Sequence, residues 1–178
     1  MGIPKSIGQF INGEYKENAN VIWNLIQGWK FFLENEVVVG ITEETNVERE
    51  GGINNASLLY LHENGVPSHN IPPRPVLIPA INQEGPAEQI KELMLDAADA
   101  ALVRGDRDTA EKDLEKAGMV GRDACKNYIT DGGHLAPNAP STIRRKMAKG
   151  KNGKGGAIPL VDTASMLNSI TYAVRKKR

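Results

Sequence analysis

Apolar residues recur at helical spacing in the first part of the chain and predict a helix over about 19–34, with Asn18 or Asn20 able to cap its start. The apolar positions of this helix are Val21, Ile22, Leu25, Ile26, Trp29, Phe32 and Leu33. Before it, the pair Asn12-Gly13 can supply the positive φ angles of a tight hairpin turn within residues 10–15. Residues 1–18 are therefore expected to form either a hairpin or a loose arm.

Two further apolar stripes predict the central helices. One begins near Pro86 and runs to Leu102, after which a Gly-Asp pair interrupts the pattern. The other restarts at Asp108, with Glu111 in capping-box spacing, and ends at residues 131–133. A short basic helix through about 148 follows, with Ser141 or Thr142 as its cap.

Alternating and continuous apolar runs predict the strands. Residues 37–42 suit a strand with both faces mostly buried, residues 58–63 suit a second strand antiparallel to the first, and residues 169–174 suit a final strand. Residues 43–55 are polar and are expected to form a long loop. Residues 71–80 hold four prolines in eight positions, so we expect an extended segment or edge strand, or a stiff spacer, that is excluded from any helix.

The order of these elements favours an α+β fold. We expect a small, mainly antiparallel sheet packed against the N-terminal helix and two longer central helices, with long loops. Residues 19–178 are assigned to a single domain with a basic C-terminal end, preceded by the arm or hairpin of residues 1–18.

Composition excludes several classes of protein. The longest apolar stretches are four or five residues, whereas a membrane-spanning helix needs roughly 20, so no membrane contact is expected. The first residues lack the basic and apolar regions of a secretory signal, which favours synthesis in the cytoplasm. Cys125 is the only cysteine, which excludes an intramolecular disulfide and a cysteine-based zinc site.

No reaction centre follows from residue types and spacing. His62, His69 and His134 match no metal-binding or catalytic spacing, and Cys125 falls on an apolar helical face, as an inert core residue would. The glycine- and lysine-rich run 149–156 lacks the Lys-Ser/Thr end of a phosphate-binding loop. We therefore expect no enzymatic activity, no cofactor and no metal.

Charge is divided along the chain, although the 22 basic and 22 acidic residues balance. Residues 141–178 carry +9 and the remaining residues carry −9. This asymmetry permits contact with DNA phosphates or with an acidic surface, head-to-tail pairing of copies, or merely a solvated basic end. The basic residues concerned are Arg144, Arg145, Lys146, Lys149, Lys151, Lys154, Arg175, Lys176, Lys177 and Arg178.

Five segments, taken in order, resemble a known family. They are His62-Glu63-Asn64-Gly65, the element Pro72–Val76, the helical residues 86–131, Thr142-Ile143 with Lys146, and Pro159–Ile170. This set is similar to the tail-completion, or head–tail joining and virion morphogenesis, proteins of tailed bacteriophages. Val76 stands where the family has an aromatic residue, and Ala164 stands where it has the glycine of an Asp-Thr-Gly turn.

The resemblance implies a structural virion protein of the phage neck. Such a protein forms a ring, by similarity to tail terminators a homohexamer, that completes or terminates the tail and joins it to the head connector. Its partners would be copies of itself, adaptor or stopper proteins of the neck and the tail tube protein, with passing contact with genomic DNA in the channel. The alternative is a sequence-non-specific DNA-binding accessory protein that uses the basic C-terminal region.

Five residues are expected at the subunit or partner interface, namely Arg74, Pro73, Pro75, His62 and Asp162. Arg74, held among prolines, can offer a planar donor fork to a carboxylate of a neighbour. On this hypothesis, Arg74→Ala weakens assembly without unfolding the monomer.

Overall fold

A computed structural model describes residues 13–48, 51–148 and 158–177. The chain divides into two compact units, each built from stretches that alternate along the sequence. Unit 1 takes the described residues up to 37, residues 91–117 and those from 174 onwards, and unit 2 takes residues 38–90 and 118–173. The assignment of residues 19–178 to a single domain stays a prediction.

The fold is α+β with a small antiparallel sheet. Strands β1 (Asn35–Gly40) and β2 (Thr171–Lys176) pair with each other, and the Lys177 amide donates to the Glu34 carbonyl at 2.7 Å where the pairing ends. Strands were predicted at both places, with bounds shifted by about two residues. The sheet therefore joins chain segments more than 130 residues apart.

The predicted strand at 58–63 is wrong, because these residues lie in helix α2 (Asn55–Asn64). The Asn54 side chain caps this helix by accepting a hydrogen bond from the Ser57 amide at 2.8 Å. Such a cap satisfies one of the orphan amides of a first helical turn. The partner of β1 is consequently β2, and the antiparallel pairing expected between neighbouring segments does not form.

Helix α1 (Gly13–Glu34) begins six residues before the predicted start. Gly13 to Tyr15 are helical, so the hairpin expected within residues 10–15 is wrong on its C-terminal side. Residues 1–12 lie outside the described part of the chain. Of the predictions for the N-terminal region, only the helix itself is confirmed.

The core of unit 1 is built from α1, α4 (Glu84–Ala98), the π-helical segment Asp99–Arg104 that continues it, and the first part of α5 (Arg107–Asp131). Its buried side chains are mostly small, which lets the helices approach closely: Phe31, Ala97, Ala100, Ala101, Ala110 and Leu114. At Gly28 a Cβ atom would meet the Ala101 carbonyl oxygen at 2.7 Å, so α1 packs there with its bare backbone. Val37 and Val174 bring the sheet against the same core.

The interruption predicted between the two central helices is confirmed. Gly105 takes a left-handed conformation, φ +68°, and ends the π-helical segment. The cap of α5 is Asp106, whose carboxylate accepts from the Thr109 amide at 3.0 Å and from its hydroxyl at 2.6 Å. These bonds lower the pKa of Asp106, and they replace the expected capping box at Asp108 and Glu111.

Residues 72–76 of the proline-rich segment form neither helix nor strand, and the short helix α3 (Leu77–Ile81) follows them. Pro79 lies inside this helix, which contradicts the expectation that residues 71–80 exclude helix. It stands at the third helical position, where an amide would have no partner within the helix anyway. Proline is therefore tolerated there without loss of a hydrogen bond.

The core of unit 2 lies where α3, the second part of α5 and residues 158–170 meet. We call residues 158–170 the closing segment. Its buried residues are Val76, Ala80, Ala124, Cys125, Ile129, Leu135, Val161 and Ile170. Gly132, φ +65°, ends α5 where its end was predicted. Helix α6 (Pro140–Ala148) also lies where it was predicted, and α7 (Ser165–Ser169) precedes β2. None of the helices in the described residues has the length and apolar character required to cross a membrane.

Candidate functional site

Two of the five family-like segments are joined by hydrogen bonds in unit 2. The Glu63 carboxylate, at the end of α2, accepts from the Val76 amide at 2.8 Å and from the Leu77 amide at 2.9 Å. The His62 carbonyl accepts from the Arg74 amide at 2.6 Å. The His-Glu pair therefore holds the proline segment and caps the start of α3, which is a structural use of both residues.

Arg74 lies inside the protein. The residue is 7% exposed, and its Nε and Nη2 donate to the carbonyl oxygens of Ala136 at 2.7 Å and Pro137 at 3.0 Å. Pro73 and Pro75, on either side of it in the sequence, are exposed. The donor fork expected to reach a neighbouring subunit is thus used within the chain, and Arg74→Ala would also remove bonds that hold the monomer together. The assignment of Arg74, Pro73 and Pro75 to an interface stays a prediction.

Asn55 connects α2 to the closing segment, residues 158–170, and it was not among the residues predicted to be functional. It is fully buried, and its Nδ2 donates to the hydroxyl groups of Ser165 at 3.0 Å and Ser169 at 2.8 Å. The one available signal was that Asn55 directly follows Asn54, which can cap a helix. That signal has meaning only if residues 55–64 are known to be helical, and they were predicted to include a strand.

The closing segment contains two strained positions. Leu160 and Ala164 both have φ +63°, in the left-handed region that favours glycine. Ala164 directly precedes α7 and stands where the family that the chain resembles has glycine. The backbone at 164 therefore has the conformation that a glycine would adopt without strain.

The predicted basic surface is only partly formed by free cations. Lys146 is buried, and its Nζ donates to the carbonyl oxygens of Ile158 at 2.8 Å and Val161 at 2.6 Å, so it cannot serve as the exposed phosphate contact that we expected. Arg175 pairs with Glu36 at 2.9 Å, and the Lys177 ammonium donates to the Phe32 carbonyl at 3.1 Å. Exposed basic residues that remain are Arg144, Arg145 and Lys176. Lys149, Lys151, Lys154 and Arg178 lie outside the described residues.

A groove of about 850 Å³ lies in unit 2, between α2, the start of the proline segment, α6 and the closing segment. His62, Arg74 and Asp162 from the predicted interface set line it, together with Arg145 and Lys146 from the predicted basic set. His62 and Asp162 are half-buried there. The structure thus brings residues from the two predicted sets into one groove.

Cys125 is the candidate nucleophile among the described residues, and the His, Asp and Glu side chains are the candidate metal ligands. Cys125 is fully buried in the core of unit 2, as predicted, and burial raises the pKa of its thiol to about 11, with a smaller contribution from the charge of Glu63. A buried neutral thiol is a poor nucleophile near neutral pH. Within the described ranges, no three His, Cys, Asp or Glu side chains lie close enough together to hold a metal ion.

The outer side of α1 exposes a continuous apolar face, which we call the α1 face. It consists of six large side chains within 13 residues, each between 38% and 67% exposed: Val21, Ile22, Leu25, Ile26, Trp29 and Leu33. Ile22, Ile26, Trp29 and Leu33 follow the four-three-four spacing of the seam between two packed helices. The helix was predicted from these residues together with Phe32, and the spacing alone did not indicate which of them would be exposed.

No protein-family model, no curated protein and no solved structure matches this chain.

Proposed function

We propose that this protein is a structural component of the neck of a tailed bacteriophage. It assembles into a ring that completes or terminates the tail and joins it to the head connector. The observation that carries this proposal is the α1 face, which places six large apolar side chains on the surface of one helix. In this proposal, the α1 face packs against a neighbouring copy of the same chain.

An exposed apolar face of this kind is characteristic of a protein that buries it in an assembly. Single exposed apolar residues are ordinary, whereas contiguous patches on a monomer mark interaction sites. Among the described residues, six of the 14 exposed large apolar side chains lie on this one face. A ring forms when each copy buries part of its surface on the next and the rotation between copies closes.

The hydrogen-bonded family-like segments support the choice of protein class. Glu63 and Arg74 connect the first two segments to each other and to the loop after α5, while Lys146 connects α6 to the closing segment. The left-handed backbone at Ala164 also fits the Asp-Thr-Gly turn of the family. These contacts explain why such residues would recur together in a protein with no catalytic task.

The experiment is a comparison of the assembly state of three full-length proteins by sedimentation velocity and negative-stain electron microscopy. The double variant Ile26→Glu/Trp29→Glu places two charges on the α1 face, and Ile78→Glu, at a residue that is 72% exposed in unit 2, is the matched control. We expect rings for the wild type and for Ile78→Glu, and monomers with an unchanged circular dichroism spectrum for the double variant.

Two outcomes would contradict the proposal. One is a double variant that still forms rings, because the α1 face would then have no part in assembly. The other is a wild type that forms no rings but binds DNA with a log–log salt slope of several units, which would favour the DNA-binding accessory function instead.

A further inference from the structure

The groove in unit 2 has the size and the composition of a ligand site. Its volume of about 850 Å³ lies in the range of roughly 300–1,000 Å³ that small-molecule sites occupy. Leu58, Ile71 and Leu160 give it an apolar wall, and polar side chains converge on it from α2 and α6. An apolar wall with a few convergent polar groups is the usual arrangement for binding a small organic molecule.

Cationic groups outnumber carboxylates among the residues that line the groove. Among the described residues that line it, Arg74, Arg145 and Lys146 contribute positive charge, and Asp162 contributes a carboxylate. Lys146 is buried, and its Nζ donates to the carbonyl oxygens of Ile158 and Val161. The local excess of positive charge favours an anionic occupant.

Arg74 contributes a positive charge to the groove that is not paired with a carboxylate of the described residues. Arg74 as a whole residue is 7% exposed, and among the described residues no carboxylate lies within ion-pair distance of its guanidinium. Its two acceptors are neutral carbonyl oxygens, and burial lowers its pKa. A buried cation without a counter-ion is costly, and an anion in the groove would offset part of that cost.

The N-terminal end of α6 opens onto the same groove. Ala139 and Thr142, at the start of this nine-residue helix, line it. The positive end of the helix dipole therefore adds to the field of the arginines. The start of α6 and the positive charge of Arg74 each favour an anionic occupant, and the two effects are independent of each other.

We propose that the groove binds an oxyanion, a phosphate or a carboxylate, carried by a small molecule whose apolar part lies against Leu58, Ile71 and Leu160. Arg145 reaches the anion from α6, and Arg74 provides the fixed positive charge at the base of the site. This site belongs to unit 2 alone and requires no ring, so it stands or falls separately from the assembly function.

Neighbouring arginines on α6 provide a matched pair of variants. Arg144 and Arg145 are both exposed, but only Arg145 lines the groove. Arg145→Gln therefore tests the site, and Arg144→Gln removes the same charge one residue away. Neither side chain is buried, so both variants are expected to fold.

The test measures the binding of inorganic phosphate and of succinate by isothermal titration calorimetry at constant ionic strength, with sodium chloride as the balancing salt. We expect the wild type and Arg144→Gln to bind at least one of the two anions with the same affinity, and Arg145→Gln to bind it about tenfold more weakly, as expected for the loss of a charge-assisted hydrogen bond. Binding of phosphate alone or of succinate alone identifies the head group.

Three outcomes would overturn the proposal. They are no binding of either anion by the wild type, equal weakening in both arginine variants, and equal affinity in all three proteins. Arg74→Gln is the second variant, with its fold checked by circular dichroism. It removes the positive charge, so a folded Arg74→Gln protein should bind the anion more weakly than the wild type, and unchanged anion affinity would overturn the role given to Arg74.

Discussion

At the scale of single residues, the sequence indicated which groups need partners but not which partners they find. Cys125 was correctly placed in the core because it falls on an apolar helical face. Arg74 was expected to donate to a carboxylate of a neighbouring subunit, whereas its acceptors in the structure are main-chain carbonyls 62 and 63 residues further along the chain. Asn55 was missed for the same reason, since its partners lie 110 and 114 residues away. Contacts over such distances follow from the fold and cannot be taken from spacing.

The strain at Ala164 leads to a stability prediction. An L-residue in the left-handed region costs roughly 1 kcal/mol that glycine does not incur, so Ala164→Gly should raise the free energy of unfolding by up to about 1 kcal/mol. The same substitution at Ala87, inside α4, should lower it by about 1 kcal/mol. Urea denaturation of both variants checks the opposite signs. A destabilised Ala164→Gly protein would contradict the assigned backbone conformation.

The buried thiol of Cys125 predicts a pH dependence. Its pKa is raised from the ordinary 9.0 to about 11, so between these values the unfolded chain loses the proton while the folded chain retains it. The contribution is fully present below pH 9 and is lost as the pH rises toward 11. Over that interval the wild type should lose up to about 2–3 kcal/mol of unfolding free energy relative to Cys125→Ala. Stability curves that stay parallel from pH 8 to 11 would contradict this prediction.

At the scale of elements, long periodic segments were predicted well and short apolar runs were not. α1, the two central helices and α6 follow clear helical patterns, whereas residues 58–61 are an apolar run of four that fits a strand or a helix equally. The cap at Asn54 decides between them, together with burial of Asn55 and Leu59 on one side of α2. The partner of β1 was missed because it lies at the other end of the chain. Pairing between distant segments leaves no local signal.

A prediction at this scale concerns the connection between α2 and α3. The Glu63 carboxylate accepts hydrogen bonds from the two amides at the start of α3, those of Val76 and Leu77. Glu63→Ala should leave both donors without their acceptor and lower the free energy of unfolding by about 2 kcal/mol. Glu63→Gln keeps an acceptor oxygen and should cost less, about 1 kcal/mol or below. Thermal and urea unfolding of the two variants provides the measurement. Equal losses in both would show that the charge, rather than the hydrogen bonds, holds the segment.

At the scale of the whole molecule, α+β class and a small antiparallel sheet could be predicted, because they follow from the order of elements. The groove could not be predicted, because its lining comes from two segments that had no connection in the sequence. One is the proline-rich segment with Arg74, and the other is the basic helix with Arg145. Exposure of the α1 face could not be predicted either. A helical apolar stripe looks the same in a sequence whether it faces the core of its own chain or that of a neighbour.

Assembly through the α1 face is the central claim, and the particle mass of the purified full-length chain tests it most directly. Mass photometry or sedimentation velocity, with class averages from electron microscopy, should give one closed ring with the mass of a homohexamer. A protein that stays monomeric across the concentration range, with the α1 face open to solvent, would contradict it.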